Sequence, residues 1–540
     1  MSKMTKKVII TLWITILLLA VGFKVALLLE DVFPFNSDEA IVGLMAKHIL
    51  DGERPIFFYG QAYMGSLDAW LTAGGFAIFG EKVWVIRLLQ TLLYLATTAI
   101  SMYLVRLYSE SAWQPIITGL FLAFPAVNMM LYTTVSLGGY GESLLLGSLL
   151  LVVYTLYRRK EPGSLMSLGL LACIGFISGF SFWVNGITLV YSLPVFGLVF
   201  WHTGKIHLKS FKWGNILTQS AALITGLIIG LFPWILYVSL NGIDVSLSEN
   251  LGKVVDVSGT SYLLSLLLHL RNLLLFGVTV IFGIRSPWEL EILAKPILPL
   301  AVAAWIFIFY FSRKLGSEPH KQEFMGMIFL VCVVFGFGFV FTPFGNDPSG
   351  RYFLPVIHML ALFAGITLGA LRHKPLLPGV LVVIILAFNI WGVVESARKT
   401  PPGLTTQFDP VAQIDHRYDE ELINFLEIND ERIGYTNYWV AYPLAFRSDE
   451  KIIFVPELPY HQDFRYTSRD NRYPVYSGIV LNSEKAAFIT TNHPQLDARI
   501  RNGLYQNKIT WKEKKIGDYL VFYNLSGRVF PDDLDLGLIE

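Results

Sequence analysis

Long apolar runs dominate the first 396 residues and limit what this chain can fold into. A helix that crosses a bilayer needs about 20 mostly apolar residues, because every backbone amide must be satisfied within the segment. The sequence therefore predicts an α-helical polytopic membrane domain over residues 1–396. Eleven runs meet the requirement, at approximately residues 8–29, 83–105, 115–134, 139–157, 164–182, 184–201, 215–238, 296–312, 324–342, 352–371 and 377–396.

The last part of the chain has a different composition. Charged residues make up only 15% of the 540 residues, and they are concentrated after residue 396. Pro401 and Pro402 mark a linker, so residues 397–540 are predicted to form a separate α/β domain. Its pattern predicts helices at DEELINFLE and PQLDARIRNGL, strands at RIGYTNYW, KIIFVP and AAFITT, and a hairpin in ITWKEKKIGDYLVFYNL around Gly517.

Charge and cysteine usage exclude several classes of function. A net charge of +1 gives no argument for nucleic-acid binding. The two cysteines, Cys173 and Cys332, lie inside long apolar runs with no CxxC or HExxH motif nearby. Disulfide frameworks and zinc-finger sites are therefore excluded.

Basic residues predict the topology, because Lys and Arg concentrate in short cytoplasmic loops. The bias is strong if the N-terminal segment is an uncleaved cytoplasmic-facing anchor and residues 261–284 do not cross. That segment contains His269 and Arg271, which favour a position in the membrane interface or a re-entrant path. We thus expect a multi-pass plasma-membrane protein with an extracytoplasmic domain at 397–540 and two long external loops, 30–82 and 239–295.

The first external loop begins with a strong helix signal. Asn36 is a suitable N-cap with Glu39 three residues later, and apolar residues at helical spacing predict an amphipathic surface helix over 37–50. Asp38 and Glu39 lie in its first turn, where the helix dipole stabilises carboxylates. Helix capping and a role as base or metal ligand both explain such a pair. A second interfacial helix is predicted from about Tyr63 to Phe79.

Four stretches of the chain resemble a known family. They are SDEAIVGLMAKHILDGERP, YGQAYMGSLDAWL, FGEKVWVIRLLQ at the second run, and a late GRYFLP. Together with the layout of the membrane part, they resemble the polyprenyl-phosphate-sugar-dependent glycosyltransferases of the GT-C fold, the group that includes protein O-mannosyltransferases and lipid A aminoarabinose transferases.

The resemblance implies a reaction. Such enzymes transfer a monosaccharide from a polyprenyl-phosphate carrier to an acceptor lipid, glycan or protein on the external face, with inversion at the anomeric carbon. Asp38 matches the family's catalytic acid, and Glu39 is its orienter or substitute. Many relatives carry a further acid after the third span; here TTVSLGGYGE offers only Glu142. A divalent cation and no cofactor at all therefore both stay open.

The remaining candidates are substrate-binding residues. Arg is a good bidentate partner for a phosphate, and few cations are predicted at the external face. A membrane-interface anchor is the alternative for Arg351, with Tyr352 as its aromatic belt residue, and a satisfied polar residue of the bundle is favoured for His358. The full set is Tyr59, Gln61, Tyr63, Asp68, Lys82, Arg87, Glu142, Arg351, Tyr352 and His358.

Two other functions remain as alternatives. A transporter or flippase for lipid-linked glycans would also be polytopic, but the apolar runs contain almost none of the acids that ion-coupled carriers use. A non-catalytic membrane scaffold that presents the C-terminal domain is the third interpretation. Release of lipid phosphate from a polyprenyl-phosphate sugar would distinguish an enzyme from both.

Overall fold

The computed structural model describes residues 5–109, 111–207, 213–243, 261–313, 319–347, 349–371 and 376–538. Residues 244–260 of the predicted second external loop lie outside the described residues. The chain forms two compact units. The helical unit comprises Met1–Glu30, Ala62–Asp68 and Arg87–Ser396, and the sheet unit comprises Asp31–Gln61, Ala69–Ile86 and Ala397–Glu540.

Helices account for most of the chain up to residue 397. Two short strands, β1 (Phe57–Phe58) and β2 (Gln61–Gly65), precede α3. The helices are α1 (Lys6–Leu29), α2 (Ser37–Leu50), α3 (Leu67–Phe79), α4 (Val83–Tyr108), α5 (Trp113–Ala123), α6 (Val127–Tyr132), α7 (Tyr140–Tyr157), α8 (Leu165–Val184), α9 (Leu189–His207), α10 (Trp213–Gly230), α11 (Phe232–Asn241), α12 (Tyr262–Arg271), α13 (Val278–Ile281), α14 (Leu298–Ser312), α15 (Pro319–Phe341), α16 (Leu354–Ala370) and α17 (Leu376–Ala397).

The polytopic architecture is confirmed, but the predicted count of eleven spans is not. Within the described residues, nine helical segments are long and apolar enough to cross a membrane, and the pair α10 and α11, bent by 59°, would make a tenth. The predicted run 115–134 is divided into α5 and α6 around Pro125, because proline removes a helical hydrogen bond. Residues Tyr262–Ile281, predicted to lie in the interface, meet the length and apolarity requirement for a span.

Two matching small-residue motifs bring α8 and α10 together in the helical unit. Gly175 and Gly179 on α8 lie against the α10 backbone, and Gly226 and Gly230 on α10 lie against the α8 backbone. A Cβ atom at any of the four would meet a carbonyl oxygen of the facing helix. This is the close backbone approach that glycine pairs four residues apart allow between membrane helices.

The sheet unit contains the predicted α/β fold. Its strands are β3 (Ile433–Thr436), β4 (Ile453–Pro456), β5 (Ala487–Thr491), β6 (Lys512–Ile516) and β7 (Tyr519–Tyr523), and its helices after residue 397 are α18 (Asp419–Ile428), α19 (Tyr438–Arg447), α20 (Pro474–Leu481) and α21 (Pro494–Gln506). The strand order is β4-β3-β5-β7-β6. β3 is parallel to β4 and β5, while β7 is antiparallel to β5 and β6.

Local signals located most of these elements correctly. The β6–β7 hairpin turns at Gly517, whose φ of +54° suits glycine. Helices α19 and α20 were not predicted from the sequence. The prediction of a strand through Tyr438 and Trp439 is wrong, because Asn437 ends β3 and caps α19 by accepting a hydrogen bond from the Trp439 amide at 3.0 Å.

The first predicted external loop needs two corrections. Helix α2 begins and ends as predicted, with Asn36 accepting a hydrogen bond from the Glu39 amide at 3.0 Å. It is not amphipathic, however, since every residue except Asp38 and Leu50 is buried. The reason is α19, which packs so closely that a Cβ at Gly43 would lie 2.5 Å from the Phe446 ring. The second predicted helix starts at Leu67, because residues from Gln61 to Gly65 form β2.

The predicted topology can be tested with a cysteine at an exposed site of the sheet unit. Glu484 is exposed. In a Cys173→Ala/Cys332→Ala background, we expect Glu484→Cys to react with a membrane-impermeant maleimide in intact cells. Our prediction of an extracytoplasmic C-terminal domain requires this labelling. Reaction only after lysis would place residues 397–540 in the cytoplasm.

Candidate functional site

The carboxylate of Asp38 lies at the start of α2, in the sheet unit. Its Oδ1 atom accepts a hydrogen bond of 2.6 Å from the hydroxyl of Tyr438, the first residue of α19. Its Oδ2 atom accepts no hydrogen bond from any described residue. Asp38 is only partly buried. One oxygen is therefore held in place while the other is available to a ligand.

Two hydrogen bonds join the first residues of α2 and α19, one donated from each helix. The hydroxyl of Ser37 donates a hydrogen bond to the backbone carbonyl of Tyr438. The Asn437 cap of α19 is in turn anchored to the sheet, since its side-chain amide donates to the Thr491 hydroxyl at 2.8 Å. The position of Tyr438 beside Asp38 is thus fixed by the carboxyl end of strand β5.

Two charged residues of the loop before α20 complete this cluster. The guanidinium of Arg472 lies over the Tyr438 ring, 5.5 Å from its centre. Asp470 is buried, and burial raises its pKa to about 7 against the opposing effects of Arg472 and His461. Burial also raises the pKa of Tyr438 well above its usual value, and the neighbouring Asp38 carboxylate adds to this. Tyr438 therefore remains a neutral hydrogen-bond donor across the ordinary pH range.

The other predicted residues of the sheet unit are spread around this cluster. Glu39 is fully buried on α2. The Tyr59 hydroxyl donates a hydrogen bond to Glu53 and lies 2.9 Å from His48 Nδ1. Gln61 is partly buried at the start of β2, and Lys82 is exposed in a groove that Lys47 and Glu81 also line. Of the predicted set in this unit, only Asp38 combines an available carboxylate oxygen with a fixed partner.

A second polar cluster lies in the helical unit. Asp68, on α3, accepts hydrogen bonds from the side-chain amide of Gln90 at 3.0 Å and from the hydroxyl of Ser136. Glu142, in the first turn of α7, lies close enough to Asp68 for the two carboxyl groups to interact electrostatically. All four side chains are buried. The structure thus brings together the two acids predicted from separate segments, with Arg87 one helical turn before Gln90.

Arg351 has its own acidic partner in the helical unit. Its Nε and Nη2 atoms donate to Asp347 Oδ2 at 3.1 and 2.6 Å, and its guanidinium lies 5.1 Å from the centre of the Tyr352 ring. Tyr63 and Tyr140 are close enough to interact with the same charge. Nη1 makes no hydrogen bond with a described residue. That atom is available to an anion.

Helix α6 holds the turn that presents Arg351. The side-chain amide of Asn128 donates to the Gly350 carbonyl at 3.0 Å, and the Tyr132 hydroxyl donates to the Ser349 carbonyl at 3.0 Å. Gly350 has a φ of +97°, and a Cβ there would meet the Asn128 side chain. The glycine in the predicted GRYFLP motif is therefore required by the backbone and by the space around it.

Replacement of Gly350 by Ala is expected to lower stability by at least about 1–2 kcal/mol, because an L-residue is strained in this conformation. The measurement is thermal unfolding of the purified protein in detergent. Gly326→Ala is the matched control, since a Cβ at Gly326 in α15 meets nothing within 4 Å. We expect the control to be neutral or slightly stabilising. Equal Tm values for the two variants would contradict the role given to Gly350.

Two buried polar residues have structural partners inside the bundle. His358, on α16, contacts the Ser101 hydroxyl at 2.7 Å and the Tyr191 hydroxyl at 3.2 Å, so both ring nitrogens have partners. Lys24, on α1, was not singled out from the sequence. Its ammonium group donates to the Thr133 carbonyl and to the hydroxyls of Thr133 and Thr134, at 2.8, 2.9 and 2.7 Å. Lys24 thus anchors the loop that carries Ser136.

A metal cofactor was left open by the sequence. Among the described residues, no group of three or more His, Cys, Asp and Glu side chains could hold a metal ion. The best pair of acids, Asp68 and Glu142, has Gln90 and Ser136 as hydrogen-bond donors to Asp68. The described residues therefore present no candidate metal site, and no chemical step is assigned to a metal.

Most residues that sequence reasoning missed come from outside the recognised motifs. Tyr438, Asp470 and Arg472 lie in the C-terminal residues and carry no local signal of a role near Asp38. Asp347 lies only four residues before Arg351, so an ion pair between these opposite charges could have been proposed from the sequence. The pairing of Ser136 with Asp68 follows only from the tertiary structure.

The apolar helices are those of a multi-pass membrane protein, and comparison with solved structures shows the GT-C fold, as the motifs predicted. The fold is similar to that of ArnT from Cupriavidus metallidurans bound to undecaprenyl phosphate, with a TM-score of 0.58 and 13% identity over 97% of this chain and 99% of that chain. The apo state of the same protein gives a TM-score of 0.57 at 13% identity, over 93% and 97%. The apo oligosaccharyltransferase of Archaeoglobus fulgidus gives 0.52 at 10% identity, over 93% and 71%.

Comparison by sequence adds nothing to this likeness. No family model and no curated protein matches the chain. With identities of 10–13%, the likeness to the solved structures is one of fold.

Proposed function

We propose that this protein is a membrane glycosyltransferase that moves a monosaccharide from a polyprenyl-phosphate carrier to an acceptor at the external face. The fold supports this, since ArnT bound to undecaprenyl phosphate is similar to this chain over nearly the whole length of both. The acceptor is a lipid, a glycan or a protein. The proposal places the N-terminus in the cytoplasm and residues 397–540 outside.

The observation that carries the proposal is the state of Asp38. A base for sugar transfer must reach the acceptor hydroxyl with an unoccupied oxygen while its orientation is held. Asp38 has this arrangement, with Oδ1 bonded to Tyr438 and Oδ2 accepting no hydrogen bond from the described residues. A carboxylate that only capped its helix would instead accept a backbone amide. In α2 that capping role belongs to Asn36.

With Asp38 as the base, each bond that forms in the proposed reaction is matched by a bond that breaks. The acceptor hydroxyl gives its proton to Asp38 and its oxygen forms a bond to the anomeric carbon. The bond between that carbon and the carrier's phosphate oxygen breaks, and the electron pair leaves with the polyprenyl phosphate. Attack from the face opposite the leaving group inverts the anomeric centre.

The leaving phosphate needs a cation, and Arg351 is proposed for it. Guanidinium groups bind phosphate through paired N–H donors, and developing negative charge is stabilised by donors already in place. Arg351 is oriented by Asp347 and keeps Nη1 available. Asp68, Glu142, Tyr63 and Tyr352 are proposed as polar and aromatic contacts for substrate.

The test is direct. Purified protein, supplied with a polyprenyl-phosphate-linked sugar and a mixture of membrane lipids, is expected to release polyprenyl phosphate in a time-dependent reaction. Mass spectrometry of the lipid fraction measures both the carrier and the glycosylated product. Transport of intact carrier across a vesicle membrane without release would favour a flippase, and neither activity would favour a scaffold.

A further inference from the structure

We propose that Tyr438 is a positioning residue for the Asp38 base, so that the C-terminal residues are part of the catalytic machinery and not an appended module. This inference rests on the proposed function, since it gives Asp38 the role of base. It concerns residues of one compact unit only, the sheet unit.

First, the Tyr438 hydroxyl is held in place as a hydrogen-bond donor to Asp38. The side chain is buried, with 3% of its surface exposed, and its hydroxyl lies 2.6 Å from Asp38 Oδ1. Its ring is enclosed by Trp439, Tyr442 and the Arg472 guanidinium, with ring centres 5.1 and 5.6 Å away for the two aromatic residues. The hydroxyl consequently has little freedom to turn away from the carboxylate.

The second step is that the same C-terminal segment holds another stretch of the first loop. Gly60 lies directly on Arg472, since a Cβ at Gly60 would be 3.0 Å from the Arg472 Cα. Tyr59 stacks on Tyr473, with ring centres 4.8 Å apart. Residues from 438 to 473 thus hold the loop at two separated points, at Asp38 and at Tyr59–Gly60.

The third step is chemical. A carboxylate base is efficient when one oxygen is held and the other faces the proton, because small misplacements of reacting groups are costly. The titratable and charged groups that face Asp38 are Tyr438, Tyr460, Asp470 and Arg472. Of these, only Tyr438 donates a hydrogen bond to Asp38. Tyr438 is therefore the residue that sets which oxygen of Asp38 is presented to the acceptor.

The experiment is Tyr438→Phe, which removes one oxygen and keeps the ring packing. We expect kcat to fall about 10-fold with little change in the donor KM, because the donor is not contacted. A purely structural role would instead lower thermal stability and leave kcat of the folded enzyme unchanged.

Tyr519→Phe is the matched control. Tyr519 is equally buried, at 2% exposed, and its hydroxyl also donates to a buried carboxylate, that of Asp419. Both variants should lose similar thermal stability, while only Tyr438→Phe loses turnover. If Tyr438→Phe does not fold, Ser37→Ala removes the other hydrogen bond between the starts of α2 and α19 and should lower kcat a few-fold with little change in the donor KM. Wild-type kinetics in the folded variant would overturn the inference.

A double-mutant cycle separates this inference from the proposed function. If Tyr438 acts through Asp38, adding Tyr438→Phe to Asp38→Asn should cause no further loss of turnover. Independent, multiplying losses would assign Tyr438 a role that does not pass through Asp38. If Asp38→Asn alone retained full turnover, the proposed base would be wrong, whatever Tyr438 does.

Discussion

Replacing Asp38 by Asn is expected to lower turnover by at least about 10²-fold, because an amide cannot accept the acceptor's proton. Asn keeps the size of the side chain, and its carbonyl oxygen can still accept the hydrogen bond that Tyr438 now gives to Oδ1 at 2.6 Å. Thermal stability and donor binding should stay close to wild type. The measurement is release of polyprenyl phosphate under single-turnover conditions, which isolates the chemical step.

Glu39→Gln is the neighbouring control for Asp38→Asn. Glu39 is fully buried on the same turn of α2, whereas Asp38 is partly exposed. We therefore expect Glu39→Gln to cost less turnover and more stability than Asp38→Asn. A larger loss of turnover for Glu39→Gln would make Glu39 the base and Asp38 the orienting residue. If neither substitution reduced turnover, the two carboxylates would only stabilise the first turn of α2. The proposed mechanism would then have to be abandoned.

Replacing Arg351 by Ala is expected to lower kcat/KM for the polyprenyl-phosphate donor by about 10- to 10²-fold. This is the loss that follows from removing a hydrogen bond between charged groups, worth about 1.5–3 kcal/mol. The effect should be smaller at high ionic strength, and Arg351→Lys should recover only part of it, because Lys lacks the planar paired donors. The assay is the initial rate of carrier release at varied donor concentration.

Two controls exclude other reasons for a loss in the Arg351→Ala variant. Removing the guanidinium leaves Asp347 without the partner that it now holds at 2.6 Å. Adding Asp347→Asn to Arg351→Ala removes that orphaned charge, so any activity it restores measures the structural share of the loss. Arg271→Ala removes an exposed cation and is expected to have no effect. Wild-type donor kinetics in a folded Arg351→Ala variant would contradict phosphate binding and favour the alternative role of Arg351 as a membrane-interface anchor.

A supporting role and a positioning role of the C-terminal residues lead to different expected results. If the sheet unit only supported the fold, substitutions in α19 would change stability and leave kcat of the folded enzyme unchanged. The hydrogen bond from Tyr438 to Asp38 predicts that removing the Tyr438 hydroxyl lowers kcat.

Local patterns in the sequence were sufficient for many elements of the fold. Runs of about 20 apolar residues identify membrane helices, because hydrocarbon leaves a backbone no other way to satisfy its amides. Asn36 and Glu39 located the start of α2, since the cap is a contact between residues three positions apart. The β6–β7 hairpin was equally local, with its turn at Gly517.

Other elements were beyond local patterns for a physical reason. Helix α2 reads as amphipathic, but α19 covers its polar face, and no periodicity within residues 37–50 contains that information. The burial of this segment depends on a partner that the segment itself does not specify. The break in the run 115–134 is different, because Pro125 lies within the run and marks it locally.

In the candidate site, too, some features follow from local sequence patterns and others only from the tertiary structure. The sequence by itself singled out the acids Asp38 and Asp68 and the cation Arg351 as candidates, because each belongs to a recognisable motif or lies in an otherwise apolar segment. Only the tertiary structure decided their partners. Tyr438 lies 400 positions from Asp38, and Ser136 lies 68 positions from Asp68. Hydrogen bonds act over about 3 Å of space and are indifferent to separation along the chain, so the contacts that give a carboxylate its function follow from packing.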